Sequence, residues 1–86
     1  MQEVVMYYSQ FCPYCHGAEQ LFSRLGVAVR LISVDEDADV RRLMAAKTGR
    51  DTVPQIFLGE HHVGGYDDLT DLHESGELDA LLSDFR

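Results

Sequence analysis

Cys12-Pro13-Tyr14-Cys15 stands between an apolar run, Val4-Val5-Met6-Tyr7-Tyr8, and a helical pattern over Pro13 to Leu25. Two cysteines three apart lie one above the other on a helix face, within disulfide reach. Cys12 falls where that helix begins. Its first N–H groups lack partners and carry partial positive charge, which favours a thiolate there. Pro13 suits the first turn, because its missing N–H would have been unpaired. A sulfur so placed, with a second one turn in, suits thiol–disulfide exchange.

Three other readings of the pair compete. A structural disulfide between residues three apart closes a tiny loop and restrains the unfolded chain little. A zinc site needs two more ligands. His61 and His62 are adjacent, so on a strand they point to opposite faces. His16 completes a Cys-x-x-Cys-His string, but covalent haem wants an axial partner and an exported context. Pro and Tyr between the cysteines, after a strand and before a helix, favour redox chemistry. No metal is expected.

The rest of the chain is read as the frame for these sulfurs. Val4 to Tyr8 is apolar on both faces, as in a central covered strand. Ala18, Leu21, Phe22 and Leu25 make one inward helical stripe, and Gly26 ends it. Val27 to Val34 is a second strand, with Arg30 marking an edge. Strand, helix, strand makes a βαβ unit with parallel strands and a right-handed crossover. Asp37 or Asp39 caps a second helix, with Val40, Leu43 and Met44 facing inward and Gly49 at its end.

Gln55 to Leu58 and His61 to Gly64 form a hairpin across Gly59-Glu60. Asp67 or Asp68 starts a short helix to about Glu74. Gly76 breaks it, and Leu78, Leu81, Leu82 and Phe85 stripe a last helix. The order βαβαββαα implies an α/β fold over residues 1–86 as one domain. It has a four-stranded mixed sheet with helices on both faces, and the cysteines at the carboxyl end of the first strand.

Composition limits the partners. The chain of 86 residues has a net charge of −8. Residues 1–34 are balanced; residues 35–86 carry thirteen acids against five bases. Such a surface repels phosphate backbones and anionic membranes, so neither nucleic acid nor a membrane is expected as partner. The acidic run Asp35 to Asp39 reads as a solvated turn and helix start. No apolar run approaches the ~20 residues of a membrane span. Met1-Gln2-Glu3 does not open like a secretory signal. Both cysteines belong to the motif, so a reducing cytoplasm is the expected location.

Two further stretches complete the picture. Thr52-Val53-Pro54 precedes the third strand. Proline cannot donate to a ladder and belongs at its start. A cis Val53–Pro54 bond would leave the Val53 amide groups free for an extended peptide. On the residues alone a trans proline opening the strand is the default, since most X–Pro bonds are trans. Gly64-Gly65-Tyr66-Asp67-Asp68 allows close backbone approach and offers helix-start N–H groups to a carboxylate; Asp67 also reads as a simple cap.

The cysteine pair, Thr-Val-Pro and Gly-Gly-Tyr-Asp-Asp, in this order, resemble the glutaredoxins, specifically the dithiol Cys-Pro-Tyr-Cys class and its small bacterial members. The resemblance covers nearly the whole chain. It implies a thioredoxin-like fold, a cis Pro54, and glutathione as co-substrate with no tightly bound cofactor. It also implies Cys12 as nucleophile and Cys15 as resolving thiol. Tyr14, Thr52, Val53 and Pro54 would wall the glutathione site. Val53 would pair through its backbone, and Gly65, Tyr66, Asp67 and Asp68 would hold the γ-glutamyl end. Arg41 would meet the glycine carboxylate.

The implied function is glutathione-dependent reduction of protein disulfides and glutathione mixed disulfides. Clients would be disulfide-forming proteins such as a ribonucleotide reductase, and the enzyme would be a monomer. Two alternatives stay open: a module sharing a [2Fe-2S] cluster through Cys12 and glutathione, and a redoxin driven by a thioredoxin reductase. The sequence also departs from the family. Ser9 stands where a lysine is common, Phe11 where a small or polar residue is usual, and Gly17 and Glu19 where basic residues often follow. Weaker glutathione binding is therefore expected, with Arg41 as the main carboxylate partner left.

Overall fold

A computed structural model describes residues 3–85. The reading of Met1 and Gln2 as part of an unexported N-terminus lies outside the described residues. The elements are β1 (Val4–Tyr8), α1 (Pro13–Arg24), β2 (Val29–Ser33), α2 (Ala38–Thr48), β3 (Gln55–Leu58), β4 (His61–Gly64), α3 (Tyr66–Glu74) and α4 (Glu77–Leu82), closed by a 3₁₀ turn at Ser83–Phe85. They form the α/β arrangement with one four-stranded mixed sheet that the order of patterns predicts, which the resemblance implied as a thioredoxin-like fold.

The sheet order is β2-β1-β3-β4. β1 runs parallel to β2, with Val4 opposite Val29 and Tyr8 opposite Ser33. It runs antiparallel to β3, with Met6 opposite Ile56, and β3 pairs antiparallel with β4. β1 is therefore central and β2 an edge. Alternation along β1 feeds two cores. Val4 and Met6 join Ala18, Leu21, Phe22, Ile56, Leu69, Leu78 and Leu82 on one face. Tyr7 joins Val34, Met44 and Phe57 on the other. α1, α3 and α4 cover the first face, and α2 covers the second.

Several expectations need correction. Leu43, expected to face inward, is 56% exposed. The inward pair on α2 is Val40 and Met44, spaced i, i+4, and Leu43 falls one step off that line. On α4, Leu78 and Leu82 are fully buried by the same spacing, whereas Leu81 is exposed. Phe85 packs on the core from the 3₁₀ turn instead of from a continuing helix.

β2 is shorter than Val27 to Val34. Val27 instead turns back to donate to the Phe22 carbonyl at 3.0 Å. Of the two proposed caps for α2, Asp37 does the capping, accepting from the Asp39 N–H at 2.9 Å. α3 begins at Tyr66 with Gly65 as its cap, not at Asp67 or Asp68. Asp68 occupies the third helical position and reaches back to the Gly65 N–H at 2.9 Å. Among the described residues no helix is long and apolar enough to cross a membrane.

Candidate active site

The cysteines sit at the carboxyl end of β1, in the turn that launches α1. Cys12 is the N-cap of α1, in extended backbone. Its sulfur accepts from the Cys15 N–H at 3.2 Å and points at the Val53 carbonyl, 3.6 Å away. The helix start thus sets an N–H donor against this sulfur, as the position of Cys12 where the helix begins predicted. Both cysteines are free thiols.

Cys15 differs from its partner. It is 2% exposed, and burial, aided by the hydrogen bond to Cys12, pushes its thiol up to about 12. One sulfur is accessible beside a donor; the other is buried and protonated. That division suits Cys12 to attack first.

The turn before Cys12 is fastened from several sides. The Cys12 N–H donates to the Ser9 carbonyl at 3.2 Å, and the Phe11 N–H donates to Ser9 Oγ at 3.3 Å. Gln10 donates its N–H to Asp35 Oδ2 at 2.9 Å. The Gln10 carbonyl accepts from His16 Nε2 at 3.1 Å. The Gln10 N–H, followed by the Ser9 side chain and the charge of Arg41, holds the Asp35 carboxyl below its usual range. Asp35 is therefore more than part of a solvated acidic turn. The parallel pairing of Tyr8 with Ser33 brings the ends of β1 and β2 together, and that pairing was the available signal.

A cavity of about 260 Å³ lies next to this turn, joined to Cys12 through the Val53 carbonyl. It is lined by Tyr14, Thr52, Val53, Pro54, Gly65, Tyr66, Asp67 and Asp68, all singled out from the sequence, and by Arg50, which was not. The Val53–Pro54 bond is cis, and Val53 precedes the ladder, which starts at Gln55. Gln55, fully buried, donates from Nε2 to the Thr52 carbonyl at 3.0 Å and accepts from His62 Nε2 at 2.7 Å. This pair anchors the Thr52–Pro54 segment from behind. Desolvation, together with the Arg50 charge, lowers the His62 pKa.

Gly65 lies against Pro54, where even a Cβ would rest in ordinary contact, 3.5 Å from the Pro54 carbonyl. Tyr14 and Tyr66 form an aromatic wall, with ring centroids 5.8 Å apart. Gly17 leaves room for it, since a Cβ at that position would come within 3.0 Å of Tyr66 Cε1.

Arg41 is the one predicted binding residue that the fold does not bring to the lining. It donates instead to the Asp51 carbonyl at 2.8 Å and to Asp51 Oδ1 at 3.3 Å. The cation at the cavity is Arg50, whose Nη1 lies 2.9 Å from Asp68 Oδ2. The Gly65 N–H and this guanidinium hold the Asp68 carboxyl below its ordinary value. The signal for Arg50 was its place between the helix-ending Gly49 and Thr52-Val53-Pro54. Among the described residues no group of three His, Cys, Asp or Glu is placed to hold a metal ion.

The sequence model of the family described as Glutaredoxin matches residues 4–63. The chain is 51% identical over 83 residues to a protein named Glutaredoxin of Pseudomonas aeruginosa, covering 96% of this chain and 99% of that one. It is 45% identical over 82 residues to Glutaredoxin 3 of Escherichia coli K12, covering 95% and 99%. The fold superposes on a buckwheat glutaredoxin–glutathione complex with a TM-score of 0.89 at 30% identity, covering 96% of this chain and 78% of that one. It also superposes on a glutaredoxin from Brucella melitensis with a TM-score of 0.84 at 43% identity, covering 95% and 89%.

Proposed function

The chain belongs to the glutaredoxin family of thiol–disulfide oxidoreductases, and on that premise we propose that glutathione is its reductant and that it clears disulfides and glutathione mixed disulfides from proteins. The observation that carries this reading is the cavity between Thr52–Pro54 and Gly65–Asp68, whose lining residue Val53 sets its carbonyl 3.6 Å from the Cys12 sulfur. It offers what a γ-glutamyl tripeptide needs. Val53 supplies backbone groups outside the ladder. The first turn of α3 supplies N–H groups for the α-carboxylate. Asp67 and Asp68 supply acceptors for the ammonium. Arg50, ion-paired with Asp68, adds a planar cation at that same γ-glutamyl end for the α-carboxylate. Arg41, to which the resemblance gave the glycine carboxylate, stays with Asp51. The buckwheat relative, described as a glutathione complex, supports the same reading.

The proposed reaction starts with the Cys12 thiolate attacking the glutathione sulfur of a glutathionylated client. The client–glutathione S–S bond breaks and a Cys12–glutathione bond forms. The electron pair leaves on the client sulfur, which takes up a proton. A second glutathione thiolate then attacks the bound glutathione sulfur, releasing oxidised glutathione and the Cys12 thiolate. Two glutathiones thus supply the two electrons. With a protein disulfide, Cys15, once its own proton has left, attacks the Cys12 sulfur of the Cys12–client bond. A Cys12–Cys15 disulfide forms, and the client leaves as a dithiol after taking up protons. Two glutathiones then reduce the Cys12–Cys15 bond and leave as oxidised glutathione. The proposed setting is a monomer in the cytoplasm, where thiols are kept reduced.

Mass spectrometry of Cys12→Ser and Cys15→Ser, each left with one thiol, during exposure to oxidised glutathione tests the assignment of the nucleophile. Cys15→Ser is expected to gain one glutathione quickly at Cys12, and Cys12→Ser to gain it far more slowly at the buried Cys15. Equal rates, or the reverse order, would remove the assignment.

A further inference from the structure

We propose that Phe11 is a docking side chain for protein clients, receiving an apolar residue next to the client's reacting cysteine. This rests on the oxidoreductase reading above and adds a substrate preference to it. Among the described residues, the two most exposed large apolar side chains are Phe11, at 80%, and Tyr14, at 62%. Lone exposed apolar residues are ordinary and need no cause. These two flank the nucleophile in sequence, so a partner that reaches Cys12 meets them.

The two rings are not equivalent. Tyr14 leans on Tyr66 and lines the cavity. Phe11 is not part of that lining. With glutathione in the cavity, Phe11 remains open to the other half of a mixed disulfide. Its backbone is also held in place. The Ser9–Cys12 turn, the Phe11 N–H to Ser9 Oγ, and the Asp35 and His16 bonds to Gln10 fix the segment on both sides of the ring. An aromatic side chain on a fixed backbone loses little freedom on binding, and aromatic anchors dominate binding at interface centres. The net charge of −8 and the carboxylate of Asp35 behind the turn disfavour an acidic client face. The partner that fits is a glutathionylated or disulfide-bonded protein with a neutral or basic surface and an apolar side chain flanking its cysteine.

The test uses three glutathione mixed disulfides: that of 2-mercaptoethanol, and those of two neutral peptides alike except for Leu or Ser beside the cysteine. Turnover by wild type, Phe11→Ser and Phe11→Tyr is compared. Wild type is expected to favour the Leu peptide about ten-fold in kcat/KM, about 1.4 kcal/mol. Phe11→Ser should abolish that preference while leaving the 2-mercaptoethanol substrate unchanged, and Phe11→Tyr should retain it. A wild type with no preference, or a preference that survives Phe11→Ser, overturns the proposal. Equal loss on all three substrates also overturns it, by assigning Phe11 to the turn alone. A wild type inert on every substrate removes the glutathione reading itself, and the docking role with it.

Discussion

Gly17 of α1 and Tyr66 of α3 approach so closely that a Cβ at residue 17 would stand 3.0 Å from Tyr66 Cε1. The glycine leaves the aromatic ring its place on the cavity wall. Two effects oppose each other in Gly17→Ala. A helix-interior alanine gains about 1 kcal/mol over glycine, and a displaced ring loses packing. Stability should therefore stay within about 1 kcal/mol of wild type, while the KM for glutathione rises about threefold as the wall shifts. Urea unfolding together with steady-state kinetics checks this; an unchanged KM contradicts it.

Gly64→Ala should be far more costly. Its φ of 115° lies where side chains are rarely tolerated, and a Cβ would run into the Asp68 carboxylate. The loss should be about 2 kcal/mol, or a fall in Tm of about 10 °C for a domain of this size. A Tm within a degree or two of wild type would contradict this.

Arg50→Ala should raise the KM for glutathione about ten-fold, since a lost charge-assisted carboxylate contact is worth about 1.5 kcal/mol. Arg41→Ala, with its partner Asp51 outside the cavity lining, should change the KM less than about threefold. The reverse ranking would make Arg41 the main carboxylate partner. Stability should change little in either variant, because exposed pairs contribute little.

How far the sequence could be read follows from where its information lies. Strand periodicity and the helix stripes placed the central β1, the edge β2 and the helices on both faces, since burial of those side chains is what the fold satisfies. Cys12, Thr52–Pro54 and Gly65–Asp68 were legible because short motifs carry them. Arg50 and Asp35 were not, because each acts on a partner distant in the chain: Asp68 for one, the Gln10 N–H for the other. Leu43 and Leu81 misled because leucine is apolar whichever side of a short helix it occupies. The α3 start was misplaced because Asp68 caps from inside the helix.

The buried Cys15 thiol predicts an alkaline loss of stability in the reduced protein. The fold keeps this thiol protonated up to about 12, against an ordinary 9.0. The protonated form is thus favoured in the native state, and its contribution is complete below pH 9 and lost as pH rises toward 12. The stability difference between reduced wild type and Cys15→Ser should shift against wild type across pH 9 to 11. Denaturant midpoints at each pH measure it, and a difference that stays constant contradicts the assignment.

The most direct test of the central claim is turnover of a small glutathione mixed disulfide by glutathione, coupled to glutathione reductase, in wild type, Cys12→Ser and Cys15→Ser. The account predicts that wild type is active, Cys12→Ser is inactive, and Cys15→Ser keeps activity, because glutathione itself resolves the Cys12 adduct. A wild type inert with glutathione but active with a thioredoxin reductase would contradict it, as would a Cys12→Ser variant that still turns over.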